Sequence, residues 1–131
     1  MSGAILQGVP ATTLDTDIWV DLPPRHYTRV LNICRDLGAQ VRANTVVDLP
    51  DVSIVNFLYE VHGLRSFRAE EKRAMKLRWL GTTVTVLPLE RIYASKKFLG
   101  RPKDLAHLPL LAQTIKLRRR LARIGRSQAN R

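Results

Sequence analysis

The chain has 131 residues, of which 45% are hydrophobic and 25% are charged. This length suits one compact domain, and the composition is that of an ordinary globular protein, which excludes wholesale disorder. The formal net charge of +11 predicts attraction for polyanions. Nucleic acid, nucleotide phosphates and anionic membrane surfaces all qualify, and the charge alone does not choose among them.

The cysteine count and the hydropathy bear on the compartment. Cys34 is the single cysteine, which excludes an intramolecular disulfide framework and fits a reducing environment. No stretch approaches the ~20 apolar residues needed to span a bilayer. The first ten residues lack the charged and apolar regions of a signal peptide. We therefore expect a cytoplasmic protein without a membrane segment.

The first predicted elements are a strand and a helix. Residues 14–22 alternate between an acidic and an apolar face, which is typical of a half-buried strand. Pro23 and Pro24 end this strand and suit the beginning of a helix, which we predict over residues 25–37. That helix carries one apolar stripe that should pack on a sheet, formed by Tyr27, Val30, Leu31 and Cys34.

The rest of the chain adds strands and then helices. The pattern predicts strands over 40–48 and 52–61, followed by a partly helical segment over 66–76. A hairpin whose strands flank Gly81 and Thr82 comes next. Two helices are predicted over 88–98 and 103–124, the second with a bend at Pro109. This order indicates an α+β (mixed α/β) fold with a helical C-terminal part. We expect a single domain over residues 1–124, followed by a basic, disordered tail over residues 125–131.

Two carboxylates stand out on the first strand. Asp15 and Asp17 are two residues apart, so their side chains point to the same face and lie ~6.6 Å apart along the chain. Such a pair can converge on a hard divalent cation, which takes oxygen ligands. An isolated pair of this kind is more often the hydrated face of a sheet, and only its sequence context can favour a metal site.

That context comes from two separated motifs. The first is G-V-P-A-T-T-L-D-T-D-I-W-V-D over residues 8–21. The second lies downstream and consists of Leu89, Glu90, Lys96, Gly100, Arg101, Lys103, Asp104 and Leu105. In this order they resemble the motifs of small nucleotidyltransferases of the DNA polymerase beta superfamily, in the branch related to toxin–antitoxin and abortive-infection proteins. The resemblance covers residues 3–111.

The resemblance implies a mixed central sheet flanked by helices and the transfer of an NMP group from an NTP to a hydroxyl of RNA, tRNA or a protein. Asp15 and Asp17 would be ligands of Mg²⁺ or Mn²⁺ and, with the residue at the family's third acidic position, would form the catalytic set. Lys96, Arg101 and Lys103 would contact the triphosphate or the acceptor. The alternative for each cation is a solvated surface charge. The alternative for Asp104 is to pair with a neighbouring cation and fix its loop.

The chain departs from the family pattern at two places. The third acidic position is Asn56, which brings no negative charge and cannot accept a proton. Glu60 could replace it only if the strand register allowed. The family's phosphate-binding Gly-Gly or Gly-Ser turn is represented at most by Ser2 and Gly3, so we expect an N-terminally shortened member with an apolar edge that favours self-association.

These departures keep a second function open. A catalytically degenerate member would keep the fold and act as a binding or toxin–antitoxin partner. The basic C-terminal helix gives a third possibility, contact with RNA, tRNA or an acidic partner, against the plain alternative of a solvated charged helix.

Overall fold

The structure is a computed structural model that describes all residues from Met1 to Arg131. It confirms the predicted α+β class. The elements follow in the order α1 Ser2–Ile5, β1 Asp15–Trp19, α2 Pro24–Asp36, β2 Gln40–Ala43, β3 Val46–Asp48, β4 Ile54–Leu58, α3 Phe67–Glu71, β5 Met75–Trp79, β6 Thr82–Val86, α4 Leu89–Leu99 and α5 Pro102–Ala129. None of the helices is both long enough and apolar enough to cross a membrane.

The main sheet is mixed and has four strands in the order β1-β4-β3-β2. β1 runs parallel to β4, whereas the other two pairs are antiparallel. The parallel pair sets Asp17 directly opposite Asn56. Since side chains alternate along a strand, Asp15, Asp17 and Asn56 share one face of the sheet.

Helix α2 covers the opposite face. Pro24 opens this helix, and the chain turns away after Leu37 through Gly38, whose φ of 85° favours glycine. The predicted apolar stripe of α2 packs on Val47 and Phe57 of the sheet, as expected. The core on this side therefore leaves the acidic face of β1 uncovered by α2.

A second core joins the N-terminal segment to the last two helices. Its buried members are Ala4, Val9, Leu89 and Leu111. The hydroxyl of Ser2 donates to the backbone oxygen of Asp15 at 3.0 Å, which holds α1 against the beginning of β1. Helices α4 and α5 are thereby brought to the sheet through the N-terminal segment.

The segment between β4 and α4 is anchored by a buried ion pair. Glu70 is 1% exposed and accepts two hydrogen bonds from the guanidinium of Arg91, at 2.6 and 2.9 Å. These bonds lower the pKa of Glu70 more than its burial raises it. The predicted hairpin of β5 and β6 is confirmed, but its two-residue turn is Leu80 and Gly81 instead of Gly81 and Thr82. Both turn residues have positive φ, as a type I′ turn requires.

Three strand predictions were wrong in their extent. The first strand, predicted over 14–22, is confined to Asp15–Trp19. Residues 40–48 form a hairpin of β2 and β3 instead of one strand, because the chain turns at Asn44 and Thr45 and β2 is bulged between Val41 and Ala43. The third predicted strand, over 52–61, is confined to Ile54–Leu58. Val52 has a φ of 65°, which is not a strand conformation.

Helix α5 is longer than predicted. It continues from Ile124 to Ala129, because residues 125–129 contain no proline to stop it. Residues 125–131, assigned from the sequence to a basic tail, are therefore mostly helical. All side chains from Lys116 onward are exposed, so this half of α5 contributes little to the core.

Gly63, in the loop after β4, should not tolerate a side chain. Its φ is 79°, and a Cβ there would lie 2.5 Å from the Cβ of Phe98. We expect Gly63→Ala to lower the free energy of unfolding by about 2–4 kcal/mol, from conformational strain plus overpacking. Urea denaturation measures this change. Gly81→Ala is the matched control, because its φ is 77° but nothing lies within 4 Å of the added Cβ. Equal losses in the two variants would contradict the predicted clash.

Candidate active site

The acidic pair and the predicted third position meet across β1 and β4. The amide nitrogen Nδ2 of Asn56 donates to Oδ1 of Asp17 at 2.9 Å. The carboxylate of Asp15, two residues away on the same face, makes no side-chain hydrogen bond and no ion pair. The predicted catalytic residues Asp15, Asp17 and Asn56 therefore form one continuous polar patch on the sheet.

The predicted cations are gathered by the tight turn between α4 and α5. Gly100 ends α4 in the left-handed conformation, with φ 60°, and Pro102 opens α5 at its first position. This turn folds Lys96 and Arg101 around Asp104, whose side chain is 0% exposed. Nζ of Lys96 lies 3.3 Å from Oδ1 of Asp104, and Nε of Arg101 lies 2.6 Å from Oδ2.

Asp104 is the electrostatic centre of this turn. The hydrogen bond from Arg101 lowers the pKa of Asp104 to about 2, aided by Lys96 and opposed by burial. The same hydrogen bond raises the pKa of Arg101, and Asp17 adds to that rise. The predicted pairing of Asp104 with a neighbouring cation is thus present. Part of the positive charge of Lys96 and Arg101 is already balanced within the protein.

Charges of the acidic patch and of two lysines both affect the pKa of the Met1 amino group. Burial lowers the pKa of the Met1 amino group, and Lys96 and Lys103 lower it further. Asp17 and Asp15 oppose this change and raise that pKa. The geometric link between this terminus and the acidic patch is Ser2, whose hydroxyl donates to the backbone oxygen of Asp15.

His107 belongs to the same neighbourhood, although it lies outside both sequence motifs. Its Nδ1 is buried and has no hydrogen-bond partner within the chain. Burial lowers the pKa of His107, and Lys96 lowers it further, which favours the neutral imidazole. The sequence could have indicated this position, because His107 follows Asp104 by three residues and therefore lies on the same face of α5.

Glu60 lies outside the site, and Trp19, two residues after Asp17 on β1, is held by other contacts. β4 ends at Leu58, and Glu60 lies beyond it with its side chain 80% exposed, 4.0 Å from Nδ1 of His62. Glu60 does not replace the missing third carboxylate. Trp19 packs edge-on against Phe67, with ring centroids 5.4 Å apart, and donates its Nε1–H to the backbone oxygen of Tyr59.

The donor set of the polar patch fits a hard divalent cation. Asp15 and Asp17 offer carboxylate oxygens on one face, and only Oδ1 of Asp17 is engaged, by Asn56. Mg²⁺ takes one or two carboxylates together with water and phosphate oxygens, so two protein ligands suffice. No group of three or more His, Cys, Asp or Glu side chains is placed to hold a metal ion. Any such ion therefore depends on a bound phosphate for its remaining ligands.

A surface depression of the protein lies elsewhere. It has a volume of about 650 Å³ and runs between α4 and the C-terminal half of α5. Its lining residues are mainly cationic or apolar and are Glu90, Tyr93, Ala112, Ile115, Lys116, Arg119, Arg120 and Arg123. We locate the candidate active site from the charges and hydrogen bonds, because the acidic patch lies open on the sheet and needs no enclosed cavity to hold an ion.

Comparison with known proteins adds no assignment. No family model matches the chain, and neither the curated proteins nor the solved structures contain a match.

Proposed function

We propose that this protein is a nucleotidyltransferase that binds an NTP with Mg²⁺ or Mn²⁺ and transfers the NMP group to a hydroxyl acceptor. The observation that supports it most directly is the polar patch, in which Asp15 and Asp17 offer carboxylates on one face of the sheet and Asn56 donates to Asp17. Two carboxylates on one face suit a divalent cation carried by a triphosphate, and the cations at the α4–α5 turn suit its phosphate oxygens.

Each protein group has a part in this reaction. Asp15 and Asp17 would hold the divalent ion, which supplies positive charge to the triphosphate and to the acceptor hydroxyl. Lys96, fixed by Asp104, retains donors on its ammonium for a phosphate oxygen, and Lys103 offers a second ammonium. The acceptor oxygen bonds to the α-phosphorus as the bond to pyrophosphate breaks, and the hydroxyl proton passes to water.

One observation favours a second function, that of a degenerate member acting as a binding or toxin–antitoxin partner. Asn56 occupies the third acidic position and donates a hydrogen bond to Asp17. That bond uses an oxygen the family would offer to metal, and asparagine supplies no negative charge. On this proposal the protein binds nucleotide without transferring it.

Asn56→Asp separates the two functions. Across the parallel strands it places two carboxylates opposite each other, so repulsion should lower the melting temperature without metal, and a divalent ion should restore it. We expect Mg²⁺ to raise the melting temperature of Asn56→Asp more than that of the wild type. Transfer by the wild type and by Asn56→Asp is measured as label incorporated from radiolabelled NTPs into total RNA or protein.

Each outcome has a clear meaning. Label transfer by the wild type supports the enzyme. A silent wild type with transfer gained in Asn56→Asp supports the degenerate member. If neither protein transfers label and neither melts higher with Mg²⁺ and NTP, both functions are wrong.

The proposed location and partners follow from the sequence. We place the protein in the cytoplasm, where the single thiol of Cys34 stays reduced. Its proposed partners are a nucleotide, then RNA, tRNA or a protein as acceptor or binding partner, and a second copy of the chain through its exposed apolar residues.

A further inference from the structure

The depression between α4 and α5, which we call the basic groove, lies outside the candidate active site. Its cationic wall comes from the C-terminal half of α5, where residues 116–131 contain seven Lys or Arg and no acidic residue. The first cation of the groove, Lys116, follows Lys103 by thirteen residues along α5, or ~20 Å at 1.5 Å per residue. Its charges are therefore not part of the cation set at the acidic patch.

Three cations of the basic groove are free to bind a ligand. Lys116, Arg120 and Arg123 make no hydrogen bond and no ion pair within the protein, unlike Arg119, which lies 3.6 Å from Glu90. They follow one another at i, i+4 and i+7, so they project from one side of α5 over ~10 Å. This length matches about three stacked nucleotides at ~3.4 Å each.

The groove suits a phosphate backbone better than an acidic amphipathic helix. Such a helix would need an apolar surface beside the cations to bury its own apolar side. The exposed apolar residues of this half of α5 are Leu117, Leu121 and Ile124, and none of them lines the groove. A ligand in the groove would leave them uncovered.

The shape and the remaining lining indicate a single strand. A concavity between two helices admits one strand, whereas a duplex is convex and wide. Tyr93 contributes an aromatic side chain to the lining, and aromatic side chains beside cations are typical of single-strand binding sites. We propose that the basic groove binds the backbone of a single-stranded nucleic acid. This binding goes beyond nucleotidyl transfer and requires neither NTP nor metal.

The test compares two triple variants of the full chain by fluorescence anisotropy with a labelled 12-nucleotide oligouridine. The groove variant carries Lys116→Glu, Arg120→Glu and Arg123→Glu. The matched control carries Arg25→Glu, Arg29→Glu and Lys72→Glu, which are exposed, make no hydrogen bond or ion pair, and change the net charge equally. Circular dichroism and melting temperature confirm the fold of both.

We expect the groove variant to bind at least ~100-fold more weakly at 50 mM salt, with a log–log salt slope shallower by about 2, at ~0.7 for each phosphate that is no longer neutralised. The control should bind within ~3-fold of the wild type.

Equal losses in the two variants, or no loss in the groove variant, overturn the proposal. A 12-residue polyglutamate that binds the groove more tightly than the oligonucleotide also overturns it, in favour of an acidic protein. An oligodeoxythymidine of the same length distinguishes RNA from DNA, and binding of either supports the proposal. Because the readout contains no NTP or metal, failure of the proposed transfer chemistry cannot produce any of these results.

Discussion

Asp15→Ala should lower both Mg²⁺-dependent NTP binding and label transfer by at least about 100-fold. The substitution removes one of only two carboxylates on the acidic patch, and loss even of outer groups around a metal typically costs 10–100-fold. Asp17 is then the only carboxylate left on the patch to attract a divalent cation, so the cation that the triphosphate requires binds more weakly. Titration with a fluorescent NTP analogue, with and without Mg²⁺, measures the binding part separately from transfer.

The stability of Asp15→Ala should be nearly unchanged. The carboxylate of Asp15 makes no hydrogen bond and no ion pair, so the free energy of unfolding should stay within about 0.5 kcal/mol of the wild type. Asp36→Ala is the matched control, an equal charge change at an exposed position at the end of α2. Undiminished Mg²⁺-dependent binding in Asp15→Ala, or an equal loss in Asp36→Ala, would show that the acidic patch is not the metal site.

Local signals in the sequence predicted most elements of the fold. The alternation of polar and apolar side chains over residues 14–22 predicted β1, and Pro23 with Pro24 predicted the beginning of α2. Gly81 gave the turn of the β5–β6 hairpin. These predictions succeeded because each depends on residues that are close together in the chain. The hairpin of β2 and β3 was missed because Asn44 and Thr45 form a weak turn signal without glycine or proline.

The sequence anticipated part of the candidate site. The spacing of Asp15 and Asp17 placed them on one face without further information. The parallel register that sets Asn56 opposite Asp17 joins residues 39 positions apart, and no local pattern specifies such a pairing. Only the family resemblance pointed to Asn56, and that resemblance stays a prediction.

The burial of Asp104 likewise could not be predicted from the sequence. A charged residue is seldom fully buried unless it is paired, and its pairing depends on the turn at Gly100 and on the packing of α5 against the N-terminal segment. Once Asp104 is buried, Lys96 has little freedom, since its side chain is itself only 14% exposed. A single carboxylate thus sets the position of the ammonium proposed to bind phosphate.

Asp104→Asn tests this positioning role through stability. The isosteric amide removes the charge that balances Lys96 and Arg101, and we expect the free energy of unfolding to fall by about 3 kcal/mol at pH 7. Most of this loss should come from Lys96, because Arg101 is half exposed and its charge is screened by solvent. Urea denaturation measures it, and Asp36→Asn, at an exposed and unpaired position, should change stability by less than about 0.5 kcal/mol.

The loss should depend on pH in a defined direction. The pKa of Asp104 in the folded protein is about 2, below its ordinary value of 3.8, so its ionised form stabilises the fold above pH 4. That stabilisation disappears as pH falls through 2, because Asp104 is then protonated in both states. The difference between wild type and Asp104→Asn should therefore shrink by about 2 kcal/mol between pH 7 and pH 2. A difference that stays constant with pH would contradict an ionised Asp104.

A double variant separates an unpaired charge from simple loss of packing. If Asp104→Asn is harmful because it leaves the ammonium of Lys96 buried without a partner, then adding Lys96→Met should restore part of the stability, since an apolar side chain has no charge to balance. If Lys96→Met instead adds its own loss to that of Asp104→Asn, the two side chains stabilise the fold independently. Lys96 would then be held mainly by the packing of α4 against α5, and Asp104 would not be the residue that positions it.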